Sequence, residues 1–502
     1  MTNRRRFILS GLLLTAVAVT MRTVQLVLGA YVSRTVGAEA LGLNTLVMTV
    51  YAFAVTLATS GISLTVTRLV ASALTESGSR GVRGTLSASF IYASFFGALS
   101  TVLLLSLSGP ISRSLLSDAR ASRALAILAL SLLPLALSGV ISGYFVAVRR
   151  VGRNALLQVL SQAARIILTV LLLSRGSGGV AESVTALAVG CALTELMTLI
   201  LGVALFALDL LRHGLAAPAP PRMSKVVGTA MPLALSAYVR SLLLTLEHSL
   251  IPERLKLYRP GADRALADYG VLHGMALPTV LYPMAPLSSY AGLLVPEFAS
   301  EGRRARLRRI ATEALGTTLA YCGALTVMMG AFAEEIGYVL YGSFEAGRYI
   351  AILAPVIPIM YLDHVADAML KGIGEQVYSM WVNIADSLLS VALVYFLLPV
   401  MGIEGYALVI IIMELFNFTL SFMRLRKRVG VGIDILRAFP IPFLSAITAY
   451  AVTSVLFHGS GSGATFAYLC IKFLFSLSCF YCILRLALIL TGRRRQASGR
   501  SL

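Results

Sequence analysis

The segment Gly37–Ser72, GAEALGLNTLVMTVYAFAVTLATSGISLTVTRLVAS, decides how the rest of the chain reads. It is long and apolar enough to cross a bilayer, for which about 20 apolar residues suffice. It also holds features that contact with lipid does not require: a polar, loosely packed patch at Thr59-Ser60-Gly61 with Ser63, and an arginine, Arg68, near its end. A remote echo lies at Gly270–Ser300. There Gly270 falls on Gly42, Ala299-Ser300 on Ala71-Ser72, and His273 on Thr45. The helix before each stretch carries an arginine at matching depth, SGLLLTAVAVTMR ending at Arg22 and GTAMPLALSAYVR at Arg240. These four segments read as walls of one cavity.

Working outward, the 502 residues are 58% hydrophobic and only 13% charged, against about a quarter charged in soluble domains. Long apolar runs alternate with short charged loops from end to end. That pattern specifies a polytopic helical membrane protein, because backbone groups in lipid must be satisfied within their own segment. The alternating ten-residue segments of a barrel are absent. The net charge of +19 sits mostly in short loops, where it sets orientation and does not call for nucleic acid. The five cysteines lie inside apolar runs, and Cys479-x-x-Cys482 has no second pair or histidine beside it, so they read as small packing residues and not as a metal site. RRRFILSG at the start reads as a cytoplasmic basic anchor before a first transmembrane helix.

The apolar runs predict 14 transmembrane helices, at 8–31, 42–67, 84–107, 122–147, 154–174, 182–207, 226–250, 267–297, 310–333, 348–370, 377–399, 403–423, 438–457 and 464–490. An even number puts both termini on one side. Basic clusters such as Arg149-Arg150-Arg153, Arg303–Arg309 and Arg424–Arg428 then fall on the side of the N-terminus, which makes both termini cytoplasmic. The outer loops 108–121 and 251–266 are more basic than that rule favours. The proline-rich HGLAAPAPPR predicts a cytoplasmic linker. The expected organisation is an N-terminal six-helix lobe over 1–212, a linker over 213–225, and a second lobe over 226–428. A helical pair over 438–490 and a basic tail over 491–502 follow. Both lobes start inside, so the repeats are parallel and pseudo-symmetric about the membrane normal.

Ionisable groups at membrane depth are costly and need explaining. Arg22 lies about 14 residues into its helix, roughly 21 Å at 1.5 Å per residue, and Arg240 matches it. Facing lobes would present both guanidiniums to one cavity, where arginine forks suit the oxygens of a diphosphate. The alternative is that each pairs with a neighbour and staples helices. Arg68 reads equally as a latch or a ligand. Glu247, two turns beyond Arg240 on nearly the same face, is a candidate for proton coupling or an outer gate. His273 would switch near neutral pH. Asp363 and Asp367, i and i+4, with Asn383 and Asp386 on the next helix, offer carboxylate and amide oxygens to Na⁺ or a shared proton. The alternative there is carboxylates capping the loop at Lys371. Glu195 and Glu414, at equivalent places, read as structural groups paired with a basic neighbour, Arg165 for Glu195. Pro278, Pro283 and Pro286 predict a bend in helix eight, and Ser60-Gly61 a soft point opposite it.

GAEALGLNTLVMTVYAFAVTLATSGISLTVTRLVASAL resembles the second helix of the stage V sporulation protein B-like polysaccharide exporters. YGVLHGMALPTVLYPMAPLSSYAGLLVPEFAS resembles their eighth, and LKGIGEQVYSMWVNIADSLLSVALVYFLLP their tenth-to-eleventh helix turn. The resemblance covers essentially the whole chain and places it in the multidrug/oligosaccharidyl-lipid/polysaccharide (MOP) exporter superfamily, beside MATE and MurJ-type flippases. It implies two six-helix lobes in a V around a central cavity, two extra C-terminal helices, alternating access, and an isoprenoid-linked saccharide cargo. It also implies a cation in the C-terminal lobe, with Asn383 and Asp386 similar to the helix-eleven part. Position 273 is histidine where MurJ-type helices carry arginine.

No Walker loop, nucleophile elbow or metal motif is present, so the reading is a transporter and not an enzyme. The expected function is a flippase for an isoprenoid-diphosphate-linked saccharide, a lipid II-like peptidoglycan precursor or a polysaccharide unit. Substrate would meet Arg22, Arg240, Thr45, His273 and Arg68. Gating or coupling would use Glu247, Ser60, Gly61, Pro283 and Pro286. The alternative is a cation-coupled multidrug antiporter of the same superfamily. No cofactor is expected beyond a coupling Na⁺ or H⁺. Expected partners are the lipid-linked substrate, membrane lipids and a cell-wall polymerase, with the chain a monomer in the bacterial cytoplasmic membrane.

Overall fold

The computed structural model describes residues 3–76, 78–175, 178–213, 223–258, 262–300, 302–432, 440–457 and 466–498. Among them every regular element is helical. The helices are α1 (Asn3–Thr59), α2 (Ile62–Glu76), α3 (Gly78–Pro110), α4 (Ala121–Ala129), α5 (Leu132–Ala147), α6 (Val151–Ser174), α7 (Val180–His213), α8 (Met223–Tyr258) and α9 (Ala262–Tyr269). There follow α10 (Leu277–Leu281), α11 (Ala285–Ser300), α12 (Arg304–Ala331), α13 (Ala333–Tyr341), α14 (Phe344–Leu353), α15 (Ile357–Gly372), α16 (Gln376–Val429), α17 (Pro440–Leu456) and α18 (Phe466–Ser498).

Among the described residues, 8 helices are long and apolar enough to cross a membrane, or 9 with α4 and α5 taken as one bent span. Length alone hides two kinks. α1 runs 57 residues with non-helical Gly37 inside it, and α16 runs 54 with non-helical Gly402. Each holds two of the expected helices joined through a single glycine. α8 and the segment 262–300 do not pass the same length and hydropathy test, and α17 is shorter than it requires.

The chain groups into two compact units, Met1–Arg34 with Asp268–Leu502, and Thr35–Ala267. This grouping differs from the expected lobes by the first and seventh helices. The linker expected over 213–225 lies mostly outside the described residues, and the contact boundaries fall at 34/35 and 267/268 instead. The reason is visible in the side chains of α8, which belong with the earlier helices. Thr245 Oγ1 donates to the Thr49 carbonyl at 3.4 Å, Thr56 Oγ1 donates to Ser241 Oγ at 3.3 Å, and Ser60 Oγ bonds the Tyr238 hydroxyl. The partners run in opposite order, so this is an antiparallel seam of hydroxyl groups, a contact that small polar residues provide inside lipid.

The unit Thr35–Ala267 is clasped at both ends. At one end Arg120 donates to Asp118 and, at 2.7 Å, to Glu39, and these carboxylates hold its guanidinium above its ordinary pKa. At the other, fully buried Asp209 takes Arg150, Arg153 and the Tyr144 hydroxyl, the last at 2.8 Å. Between them Arg165 meets Glu195 at 2.9 Å, as their spacing predicts.

In the other unit, Arg34 donates to the Tyr338, Val339 and Leu340 carbonyls at 3.1, 2.5 and 2.8 Å. A cation there suits the negative end of α13. The last helix is tied in by Lys472, nearly buried, which meets Glu335 at 2.6 Å and lies 5.1 Å from the centre of the Phe332 ring. On the loop before α16, Glu375 accepts from Arg424 at 2.7 Å and from Arg428. Arg424 first, then Arg428, holds this carboxyl below its ordinary 4.5. Its stabilising contribution is therefore complete above that ordinary value and disappears as pH falls through the lowered native value. Glu375→Gln is expected to lower the thermal midpoint at pH 7 and to flatten its dependence on pH in the acid range. A mutant whose midpoint still fell with acid as steeply as the wild type would show that this pair contributes nothing there.

Candidate transport site

The geometry of the candidate site starts with three prolines. Pro283 cannot donate to the Thr279 carbonyl, nor Pro286 to that of Tyr282, so a regular helix is impossible across them. The segment divides accordingly into a wide turn at Gly270–Ala276, then α10, a tight turn at Tyr282–Met284, and α11. Polar groups left by such a break need partners in an apolar setting. Backbone groups inside the segment take the freed carbonyls, the Tyr282 N–H that of Thr279 and the Ala285 N–H that of Tyr282, and tyrosines from other helices brace the segment around them. Tyr361 donates to the Val280 carbonyl at 2.7 Å, Tyr321 to the Pro283 carbonyl at 2.8 Å, and Tyr341 shares a hydrogen bond with Thr279 Oγ1 at 2.8 Å. Pro283 is buried and Pro286 exposed.

Arg22 is half-buried on the first part of α1. Its neighbour Thr23 bonds the Tyr282 hydroxyl at 2.8 Å, which fixes this turn of helix beside the break. The Arg22 charge is within electrostatic reach of Tyr361 and His364. His273 shares a 2.8 Å hydrogen bond with the Tyr406 hydroxyl. Its ring lies between those of Tyr269 and Tyr406, with centroids 4.7 and 5.1 Å away.

The remaining substrate candidates lie in the other unit. Arg240 and Arg68 are exposed, and half-buried Thr45 turns its hydroxyl back to the Leu41 carbonyl at 2.8 Å. Glu247 is buried, two turns from exposed Arg240. Ser60 and Gly61 have φ of 42° and 68°. These consecutive left-handed residues end α1 and start α2, and a non-glycine residue there is strained. The Ser60 hydroxyl donates to the Leu57 carbonyl at 2.6 Å and so covers part of that break.

Two of the expected cation ligands are already engaged by other groups. Asp367 is committed to Lys371 at 2.5 Å, and Asn383 donates its amide to the Ser379 carbonyl of its own helix at 2.7 Å. Asp363 and Asp386 remain mutually within electrostatic reach, and Glu414 joins them from the second half of α16. Ser421 bonds Asp363. One oxygen of Asp363 and the amide oxygen of Asn417 are buried without a hydrogen-bond partner among the described residues. Among the described residues Glu414 pairs with no basic residue and instead lies within electrostatic reach of two aspartates. No described group of three His, Cys, Asp or Glu side chains converges closely enough to hold a metal ion as it stands. Glu414, Asn417 and Ser421 share one helix at spacings of three and four, a signal available in the sequence once Glu414 is read for its face.

Long apolar helices with charges buried among them and a proline-broken segment braced by tyrosines define a polytopic helical membrane protein. The chain belongs to the polysaccharide biosynthesis protein family, whose sequence model matches residues 9–300; that of the MatE family matches 260–396. It is 24% identical over 426 residues to stage V sporulation protein B of Bacillus subtilis (strain 168), covering 81% of each chain. Its fold matches that of the lipid II flippase MurJ in an inward closed conformation, with a TM-score of 0.72 at 12% identity over 95% of this chain and 99% of that one. It also matches an inward-facing multidrug resistance MATE family transporter of the MOP superfamily, with a TM-score of 0.68 at 17% identity over 82% and 94%.

Proposed function

We propose that this protein moves an isoprenoid-diphosphate-linked saccharide, a lipid II-like precursor or a polysaccharide unit, across the bacterial cytoplasmic membrane by alternating access. It is a transporter in this reading and not an enzyme. The observation that carries it is half-buried Arg22, held next to the Pro283 break through Thr23 and Tyr282. A guanidinium at that depth is costly and suits a diphosphate that is bound and released. Family membership and the fold shared with a lipid II flippase support the cargo class. Arg22 and Arg240 are the proposed diphosphate ligands, with Thr45, His273 and Arg68 as secondary contacts. Helix breaks at Ser60-Gly61 and Pro283–Pro286 are the proposed flexible points, with Glu247 a coupling residue.

Asp363, Asp386 and Glu414, with Asn417 and Ser421, are the proposed coupling site for Na⁺ or H⁺. Carboxylates within electrostatic reach of one another repel when all are ionised, and one cation or proton relieves that. The same carboxylates favour a second reading, a cation-coupled multidrug antiporter. Fourteen spans, cytoplasmic termini, a monomeric state and a polymerase partner complete the proposal. The experiment that tests it is transport in proteoliposomes, with a labelled undecaprenyl-diphosphate disaccharide in one arm and a cationic dye in the other. Movement of the lipid without the dye supports the flippase, and the reverse result establishes the antiporter.

A further inference from the structure

RRARLRR opens α12 at Arg303 and RLRKR closes the last turns of α16 at Arg428. Far apart in sequence, the two runs meet in the structure, where Arg304 donates to the Lys427 carbonyl at 3.1 Å. Acidic neighbours neutralise only part of this surface. Glu375 takes Arg424 and Arg428, and Glu313 takes Arg309 at 2.8 Å. Arg304, Arg308, Arg426 and Lys427 are exposed, with no carboxylate at ion-pair distance among the described residues.

Helix stability does not account for the patch. Cations in the last turn of α16 suit its negative end, but the first turn of α12 has no acid and an arginine-rich start, which adds to the positive end of that helix. Orientation needs only an excess of basic residues, which pairs such as Arg80 and Arg83 at the start of α3 already give on the same expected side. Both runs lie at the ends of apolar spans, Arg304–Ala331 and Gln376–Val429, the level at which lipid headgroups sit. Arginine forks and a lysine at that level match phosphodiester anions.

We propose that this joined basic patch of α12 and α16 binds the headgroups of anionic phospholipids in the adjoining leaflet. The site is separate from the residues proposed to hold the cargo or the coupling ion. It ties the unit that holds both helices to the lipid composition around it.

The test uses the purified full chain in nanodiscs of equal phosphatidylglycerol and phosphatidylcholine, with retained lipid counted by native mass spectrometry. Both leaflets have the same composition, so a change in insertion direction leaves the readout unaffected. The wild type is expected to retain phosphatidylglycerol preferentially. The combined variant Arg304→Gln, Arg308→Gln, Arg426→Gln and Lys427→Gln is expected to cut that preference about tenfold. The charge-keeping variant Arg304→Lys, Arg308→Lys and Arg426→Lys is expected to preserve it. Equal retention of the two lipids by the wild type overturns the proposal. So does unchanged preference in the glutamine variant, or loss of preference in the lysine variant. Displacement of phosphatidylglycerol by inorganic phosphate, at an ionic strength where chloride has no effect, assigns the patch to a free anion and overturns the lipid reading.

Discussion

Gly37→Ala and Gly402→Ala are each expected to destabilise the protein by about 1–3 kcal/mol. Gly37 has φ 81° and ψ 170°, and Gly402 has φ 65° and ψ −147°. An L side chain is strongly disfavoured in that region, whatever space surrounds it. At Gly37 no atom lies within 4 Å of where a Cβ would stand, so the cost is one of backbone and not of packing. The backbone cannot relax freely, because both flanks are anchored. Arg34 holds the carbonyls that end α13 within one unit, and Glu39 holds Arg120 within the other. The chain passes between units at residues 34 and 35, so strain at Gly37 falls on the segment joining them. Thermal unfolding of each purified variant checks this. A lowered midpoint is expected for both, and wild-type midpoints would show that the two kinks tolerate ordinary helical or extended geometry.

Asp363→Asn and Glu414→Gln are each expected to reduce cation-stimulated transport about tenfold, the middle of the range usual for coupling between sites. Asp367→Asn and Asn383→Ala are expected to leave it within about twofold. The distinction follows from what each side chain already touches. Asp367 is paired with Lys371, and Asn383 is spent on its own helix. Asp363 keeps a buried oxygen without a hydrogen-bond partner among the described residues, and Asp386 and Glu414 lie within electrostatic reach of it. Initial rates measured across a Na⁺ series and a proton series separate the two ions. Loss of cation stimulation in Asp367→Asn with full stimulation in Asp363→Asn would contradict this division and place coupling at Asp367.

That contrast shows how far the sequence carries. The helical class was legible because long apolar runs in lipid leave no other backbone solution. The breaks at 37 and 402 were legible too, since glycine falls in both predicted gaps. Arg165 and Glu195 were legible as two opposite charges at similar depth on neighbouring helices. The contact of Asp367 with Lys371 was legible as an i, i+4 pair, and capping of the loop at Lys371 stood beside the cation reading. Tyr321, Tyr341 and Tyr361 were not legible. Each bonds the broken segment from 38 to 81 residues away in sequence, and nothing local to a tyrosine announces which group it serves. The grouping of α8 with the earlier helices was likewise hidden. The proline-rich segment marks a connection, whereas the hydroxyl seam of Thr49, Thr56 and Ser60 with Thr245, Ser241 and Tyr238 decides the packing. His273 matches Thr45 by alignment, yet its ring is held by Tyr269 and Tyr406, partners that no alignment of the two halves supplies.

The most direct measurement of the central claim is the flipping rate of a labelled undecaprenyl-diphosphate disaccharide in proteoliposomes containing wild type, Arg22→Ala, Arg240→Ala or the double variant, with equal protein incorporation. A diphosphate ligand lost from a low-dielectric site removes charge-assisted hydrogen bonds of about 1.5–3 kcal/mol, so each single variant is expected to slow flipping at least about tenfold and the double variant to abolish it. Wild-type flipping by the double variant would contradict the account.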